Sequence, residues 1–170
     1  MKLHEIIKVA DVFTLTSLVC GIIAIFLSIT KAFSLAALLM FLCVICDFLD
    51  GYVAQKMHQK NSFGRELDSL CDLVSFGVTP AVFGYMLGLT TGWQIAILAM
   101  FVIAGALRLA RFNVTELSHF EGVPITANGI IIPLFYVTGI FNNPQYFIIL
   151  YGLMTVLMIS TIKIKKPSFT

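Results

Sequence analysis

The chain has 170 residues, of which 59% are hydrophobic and only 12% are charged, with a formal net charge of +2. An ordinary soluble domain carries about 25% charged residues, so this composition excludes that class. The small net charge gives no reason to expect a nucleic-acid partner. The sequence instead predicts a polytopic membrane protein with a single domain over residues 1–170.

Crossing a bilayer as a helix takes about 20 predominantly apolar residues. Six stretches approach or reach this length, and they predict an all-α integral membrane fold with six transmembrane helices. In chain order these are Asp11–Ile29, Phe33–Met57, Leu67–Leu87, Trp93–Phe112, Ile125–Phe141 and Pro144–Ile164. An even number of crossings places both termini on the same side of the membrane.

Lysine and arginine residues are distributed unevenly between the two sides of this layout. The chain has 11 of them, and Lys31 alone falls on the side opposite the termini. Cationic residues in short loops are enriched on the cytoplasmic side of membranes. We therefore expect both termini in the cytoplasm of a multi-pass protein of the cell membrane, with any polar site facing the cytoplasm.

The second and third predicted helices carry four aspartates near their cytoplasmic ends. Asp47 and Asp50 are three residues apart, and Asp68 and Asp72 are four apart, so each pair shares one helix face. The short connection between the two helices folds one against the other. Ionisable residues inside a membrane are costly, and four of them together indicate a functional site.

Small and hydroxyl-bearing residues extend both acidic faces. On the second helix Gly51 and Ala54 continue the face of the first pair. On the third helix an α-helical repeat of 100° per residue predicts one stripe that holds the second pair together with three further residues. These three are Gly64, Ser75 and Thr79.

Four ionised carboxylates cannot share such a site without neutralisation. At an effective dielectric constant near 20, two unit charges about 4 Å apart repel by about 4 kcal/mol. Oxygen ligands select hard ions such as Mg²⁺, Mn²⁺ or Ca²⁺ rather than zinc. Two divalent cations would balance the four charges and leave positions for phosphate oxygens. The sequence therefore predicts two cation sites.

Two other interpretations of the acidic faces are open. The aspartates could be structural partners of nearby cations, for which the candidates are Lys56, Lys60, Arg65 and Arg108. They could also belong to a cation channel or transporter. That class needs a polar path to the outside, whereas the outer halves of the first, fourth, fifth and sixth predicted helices contain no acidic residue.

The pattern of this region resembles the motif of the CDP-alcohol phosphotransferase family. That motif reads D-x-x-D-G-x-x-A-R, eight residues, and then G-x-x-x-D-x-x-x-D. The matching residues are Asp47, Asp50, Gly51, Ala54, Gly64, Asp68 and Asp72. Gln55 stands where the family has arginine, which puts that residue's contact with the nucleotide diphosphate in question.

The resemblance implies a homodimeric six-helix enzyme that acts on a CDP-activated lipid, either CDP-diacylglycerol or a CDP-archaeol lipid. An alcohol attacks the lipid-side phosphorus and CMP leaves. Mg²⁺ or Mn²⁺, with Ca²⁺ as a further candidate, would be held chiefly by Asp47, Asp50 and Asp68, with Asp72 as ligand or general base. The implied CDP-lipid-binding residues are Asp50, Gly51, Ala54, Gln55, Gly64, Asp68 and Thr14.

Three further segments resemble the branch of this family whose acceptor is L-serine: 64–80, 107–113 and 120–124. A serine carboxylate suits the planar guanidinium groups of Arg108 and Arg111, three residues apart on the fourth predicted helix. The other serine-binding candidates are Asn113, Ser75 and Thr79. The arginines could instead be membrane-surface anchors, or they could bind a phosphorylated acceptor such as inositol phosphate or glycerol phosphate.

Overall fold

The structure is a computed structural model that describes residues 8–57, 61–114, 120–139, 143 and 145–164. Its helices are α1 (Val9–Ile29), α2 (Phe33–Lys56), α3 (Ser62–Asp72), a π-helical segment (Leu73–Val78), α4 (Thr79–Met86), α5 (Gly92–Val114), a 3-10 turn (Ile125–Ala127), α6 (Asn128–Val137) and α7 (Gln145–Ile159). Two short strands, β1 (Phe120–Glu121) and β2 (Lys163–Ile164), pair antiparallel. The remaining described residues form turns and connections.

Four helical stretches are long and apolar enough to cross a membrane: α1, α2, the continuous run Ser62–Met86, and α5. Two further apolar stretches, Ile125–Val137 and Gln145–Ile159, are shorter. Many large hydrophobic side chains on these helices face outward, as in a protein surrounded by lipid. The prediction of a helical integral membrane protein is confirmed in this form.

The last predicted helix is wrong at its carboxyl-terminal end. It was expected to continue to Ile164, whereas α7 ends at Ile159 and the chain then turns into β2. β2 pairs with β1, so residues after α7 take their backbone hydrogen bonds from another segment rather than from a continued helix. The predicted boundaries Phe141 and Pro144 lie outside the described residues.

Helix α1 packs against α2, α3, the π-helical segment and α4. The residues that it buries are small or short: Ala10, Asp11, Thr14, Ser17, Cys20, Gly21, Ala24 and Ser28. Small residues at this spacing let the backbones of membrane helices approach closely. A Cβ atom added to Gly21 would lie 3.0 Å from Ser75 Oγ, so the helix interface has no room for a larger residue there.

The π-helical segment begins directly after Asp72. Its hydrogen bonds span five residues rather than four, so a turn takes more residues and the side chains that follow are rotated relative to an α-helix. Ser75 lies within this segment and Thr79 directly follows it. Both hydroxyl groups are buried and donate to α1, to the carbonyl oxygens of Ser17 and Gly21 respectively, each at 3.2 Å.

One end of the helix assembly collects the amino-terminal ends of α1, α3 and α6 and the carboxyl-terminal ends of α2, α5 and α7. Three contacts join these ends: Thr14 with Asp50, Ser69 with Asn113, and Val123 with Leu157. We call this region the carboxylate end, because all four aspartates of the predicted site lie in it.

Candidate active site at the carboxylate end

Three aspartates from two helices converge at the carboxylate end. Asp47 and Asp50 on α2 and Asp68 on α3 each offer a carboxylate oxygen, and these oxygens lie within 4.8 Å of one another. Asp50 is only 7% exposed. The helix pairing expected from the spacing of these residues therefore brings the two acidic faces together.

Asp72 joins this group through Asp47. Their carboxyl groups lie within hydrogen-bonding distance of each other, and Asp72 is 9% exposed. Two ionised carboxylates make such a contact only when a proton or a cation lies between them, because unit charges at this range repel by about 4 kcal/mol at an effective dielectric constant near 20. The charges of all four aspartates thus interact with one another, so we treat the four residues as one unit.

No lysine or arginine of the described ranges forms an ion pair with any of the four aspartates. Arg108 is the cation whose charge interacts with Asp72, at longer range. Lys60, one of the structural partners considered above, lies outside the described residues. Within the described ranges, charge compensation for this unit has to come from protons or from a bound ion.

The donor set fits a hard divalent cation. Oxygen ligands surround Mg²⁺ at about 2.0–2.1 Å and Ca²⁺ at about 2.3–2.6 Å, so ligand atoms on opposite sides of one ion are separated by about 4–5 Å. The oxygens of Asp47, Asp50 and Asp68 meet that requirement. This acidic cluster could therefore hold a metal ion through Asp47, Asp50 and Asp68, with Asp72 adjacent.

Helix α1 supports the cluster through Thr14. The Thr14 hydroxyl donates to Asp50 Oδ2 at 2.7 Å, and both side chains are buried. Thr14 was expected to contact the CDP-lipid, and the structure places its hydroxyl on a carboxylate of the cluster. A hydrogen bond to a charged group orients that group as well as stabilising it.

A fifth carboxylate, which the motif does not contain, lies beside the cluster. Asp11 is 5% exposed, and its Oδ2 accepts from the Lys8 backbone N–H at 2.7 Å. Its charge interacts with Asp68. The sequence shows an acidic residue in the first turn of α1, but it does not show that this residue lies near Asp68. That proximity depends on how α1 packs against α3.

Gly64 allows this packing. A Cβ atom at Gly64 would lie 3.0 Å from Asp11 Oδ1 and 2.9 Å from Asn61 Oδ1. Asn61 caps α3 by accepting from the Gly64 N–H at 2.6 Å. The small size of Gly64 thus leaves room for side chains of the protein itself, whereas the family resemblance implied close approach of the nucleotide.

Gly51 faces open space instead. A Cβ atom there would meet nothing within 4 Å. Gly51 and Gln55 border a cleft of about 780 Å³ that also includes Asp47 and is formed by one face of α2. Ala54, on the next turn, is half-buried. This open face gives a ligand direct access to the α2 backbone beside the aspartates.

The two arginines of α5 have different surroundings. Arg108 is 7% exposed, and its Nε atom is buried without a hydrogen-bond partner among the described residues. Arg111 instead donates to the carbonyl oxygens of Ile159 and Ser160 at the end of α7. Asn113 exchanges hydrogen bonds with Ser69 on α3. Among the described residues, Arg108 therefore combines a buried Nε atom that has no hydrogen-bond partner with a charge that interacts with Asp72.

Fold and site together define a helical membrane protein with an oxygen-only acidic cluster at one end of its helices. The chain belongs to the CDP-alcohol phosphatidyltransferase family, whose model matches residues 7–163. It is 39% identical over 167 residues to a CDP-diacylglycerol--serine O-phosphatidyltransferase of Methanocaldococcus jannaschii, an alignment that covers 97% of this chain and 77% of the relative.

Two further relatives have comparable similarity. The archaetidylserine synthase of Methanothermobacter thermautotrophicus is 35% identical, over 95% of this chain and 71% of that protein. The CDP-diacylglycerol--serine O-phosphatidyltransferase of Bacillus subtilis is 36% identical, over 92% of this chain and 88% of that protein. These similarities extend over nearly the whole chain rather than the acidic motif alone.

The Thr14–Asp50 hydrogen bond yields a prediction about ion binding. Thr14→Val removes the donor while preserving the shape of the side chain, and we expect the affinity for Mn²⁺ to fall by about tenfold, since hydrogen bonds to charged groups contribute about 1.5–3 kcal/mol. Calorimetric titration of the detergent-solubilised protein with Mn²⁺ measures this. Thr16→Val is the matched control, because the Thr16 hydroxyl is exposed and donates to the carbonyl oxygen of Val12 in its own helix. Equal Mn²⁺ affinities in the two variants would contradict the role of Thr14.

Proposed function

We propose that this chain transfers the phosphatidyl group of a CDP-activated lipid to the hydroxyl group of L-serine and releases CMP. The observation that carries the proposal is the cluster of Asp47, Asp50 and Asp68, whose oxygens lie within 4.8 Å of one another. The serine acceptor is supported by the names of the relatives. Because these relatives include both a phosphatidyl and an archaetidyl enzyme, the donor is CDP-diacylglycerol or CDP-archaeol.

The aspartates would hold Mg²⁺ or Mn²⁺, in two sites, with Ca²⁺ as a further candidate. Such ions neutralise the charge that develops on the transferred phosphoryl oxygens. Asp47, Asp50 and Asp68 are the proposed ligands, and Asp72 is the proposed fourth. The all-oxygen donor set and the lack of ion pairs to these aspartates within the described ranges support this assignment.

The donor would lie along the open face of α2. This face is bordered by Gly51 and Gln55, and Ala54 lies next to it. Asp50, which precedes Gly51, belongs to the acidic cluster. Gly64 and Thr14 contribute indirectly, because Gly64 lets α1 and α3 approach and Thr14 orients Asp50. Asp68 completes the proposed donor contacts from α3.

In the proposed reaction the serine Oγ forms a bond to the lipid-side phosphorus, and the phosphorus–oxygen bond to CMP breaks. The hydroxyl proton passes to Asp72, which acts as general base. Asp72 lies one helical turn beyond Asp68, on the side of Arg108. Arg108 would bind the serine carboxylate, because it is buried and its Nε lacks a partner within the described ranges. Ser75 and Thr79 are not part of this proposal, since their hydroxyls bond to α1.

The proposed topology has six membrane crossings, with both termini and the carboxylate end on the cytoplasmic side of the cell membrane. The distribution of lysine and arginine supports this orientation. Residues 1–170 would form one domain, consistent with a family match that spans 7–163. The family resemblance further suggests a homodimer.

The function is tested by mixing purified protein with CDP-diacylglycerol or CDP-archaeol and one acceptor at a time, and measuring CMP release. We expect release with L-serine to exceed release with inositol phosphate or glycerol phosphate by at least about a hundredfold, because a site built for one polar group strongly rejects acceptors that leave its partners unpaired. Preference for a phosphorylated acceptor would reject serine while leaving the family assignment intact.

The same assay tests the cation requirement. Addition of EDTA should stop CMP release, and Mg²⁺ or Mn²⁺ should restore it, because the clustered carboxylates require a compensating charge. Full activity in the presence of the chelator would exclude the metal assignment.

Asp72→Asn should lower the turnover rate by about 10²- to 10⁴-fold, the usual contribution of a general base. The amide is nearly isosteric but cannot accept the proton, so binding of the CDP-lipid should be preserved. Glu66→Gln is the control, because Glu66 is exposed on the same helix. Joint loss of Mn²⁺ and CDP-lipid binding in Asp72→Asn would identify Asp72 as a ligand rather than a base.

Arg108→Ala should raise the KM for serine by about 10- to 150-fold, corresponding to the 1.5–3 kcal/mol of a charge-assisted hydrogen bond. The KM for the CDP-lipid should change little, which provides the internal reference. Arg108→Lys keeps the charge but loses the planar fork, so its serine KM should lie between those of the wild type and Arg108→Ala. An unchanged serine KM in Arg108→Ala would assign Arg108 a structural role.

A further inference from the structure

The carboxyl-terminal turn of α7 is bound by two other parts of the chain. A helix leaves its last carbonyl groups without intrahelical partners. Here Arg111 donates from two guanidinium nitrogens, to the carbonyl oxygens of Ile159 at 3.3 Å and Ser160 at 3.2 Å. The backbone N–H of Val123 donates to the carbonyl oxygen of Leu157 at 3.2 Å.

Gly122 makes the closest approach in this region. Its φ angle is +72°, and a Cβ atom there would lie 2.6 Å from the Met158 carbonyl oxygen. Its N–H donates to the Ile162 carbonyl oxygen at 2.9 Å, and the β1–β2 pair continues the contact. We call the set of contacts that Arg111, Gly122 and Val123 make with residues 157–162 the α7 clamp.

The clamp fixes the segment that leads into Ile125. The Ile125 side chain is fully buried between α5 and the π-helical segment, because a Cβ atom at Gly105 would lie 2.7 Å, and one at Gly77 3.8 Å, from its Cδ1 atom. Gly105 precedes Arg108 by one helical turn. The π-helical segment follows directly after Asp72. Ile125 therefore packs against α5 one helical turn before Arg108, and against the segment that follows Asp72.

We propose that the α7 clamp positions Arg108 for the acceptor, and that Arg111 is a positioning residue rather than an acceptor ligand. The inference rests on the proposed function, in which Arg108 binds the acceptor. Arg111 already donates from two of its nitrogens to backbone carbonyls, which holds its guanidinium group at the end of α7. Opening the clamp frees residues 122–125 and loosens the packing of Ile125 between α5 and the π-helical segment.

The clamp is tested with Gly122→Ala, which adds one methyl group against the Met158 carbonyl oxygen. Gly139→Ala is the matched control, because Gly139 also has a positive φ of +60° but no described atom would lie within 4 Å of its Cβ. We expect Gly122→Ala to raise the serine KM by about tenfold, the equivalent of one hydrogen bond to a charged group. The CDP-lipid KM and the Mn²⁺ affinity should match those of Gly139→Ala.

Arg111→Ala and the double variant complete the test. If Arg111 and Gly122 both act by holding the clamp closed, their effects are coupled. The double variant should then raise the serine KM no further than the stronger single variant. A raised serine KM in Arg111→Ala with an unchanged one in Gly122→Ala would show that Arg111 binds serine directly and would overturn the proposal. If Gly122→Ala does not fold, an unchanged serine KM in Arg111→Ala overturns it alone.

The wild-type assay separates this inference from the proposed function. If the wild-type protein uses another acceptor, serine is rejected, and the KM for the preferred acceptor is then compared among the same variants. A rise for that acceptor would support the clamp independently of serine. No change for it in Gly122→Ala and Arg111→Ala would reject the clamp as well.

Discussion

The mutual repulsion of four aspartates in a membrane protein is the constraint on which the rest of this structure depends. Carboxylates within a few ångströms of one another would separate if their helices were free to do so. Here α2 and α3 cannot separate, because α1 packs against both and buries a face of small residues between them. The stability of the helix packing therefore maintains a group of carboxylates that is unfavourable unless protons or a cation compensate its charge.

Helix α1 contributes to the site chiefly through its backbone, which lies close to the π-helical segment, and through one hydroxyl group. Thr14 fixes Asp50, while Gly21 leaves room for Ser75 and Thr79 to reach backbone carbonyls of α1. The second half of the molecule contributes in a different way. Helix α5 supplies Arg108, and α7 contacts the segment 122–125, whose Ile125 packs against α5. The donor and acceptor sides of the proposed site therefore depend on separate parts of the fold.

The spacing of Asp47, Asp50 and Asp68 was sufficient to predict their convergence, because an α-helical repeat and a short connection determine which faces meet. The same repeat does not predict that the helix becomes π-helical after Asp72, or that the hydroxyl groups of Ser75 and Thr79 donate to carbonyl oxygens of α1. Arg108 and Arg111 have equivalent sequence signals, and only the position of α7 separates their roles. Asp11 was missed because its contact with Gly64 is a consequence of tertiary packing.

The hydrogen bonds between the π-helical segment and α1 have a consequence for the alignment of the two helices. Their acceptors are backbone carbonyl oxygens, and every turn of α1 presents an equivalent one. These bonds are therefore degenerate: an axial slip of α1 by one turn, about 5.4 Å, would offer the same acceptors to Ser75 and Thr79. The Thr14–Asp50 bond is not degenerate, because a slipped helix would present Ala10 or Leu18 near the carboxylate instead. The hydroxyl group of Thr14 and the small size of Gly21, where an added Cβ would lie 3.0 Å from Ser75 Oγ, together set the axial register that these hydrogen bonds leave open.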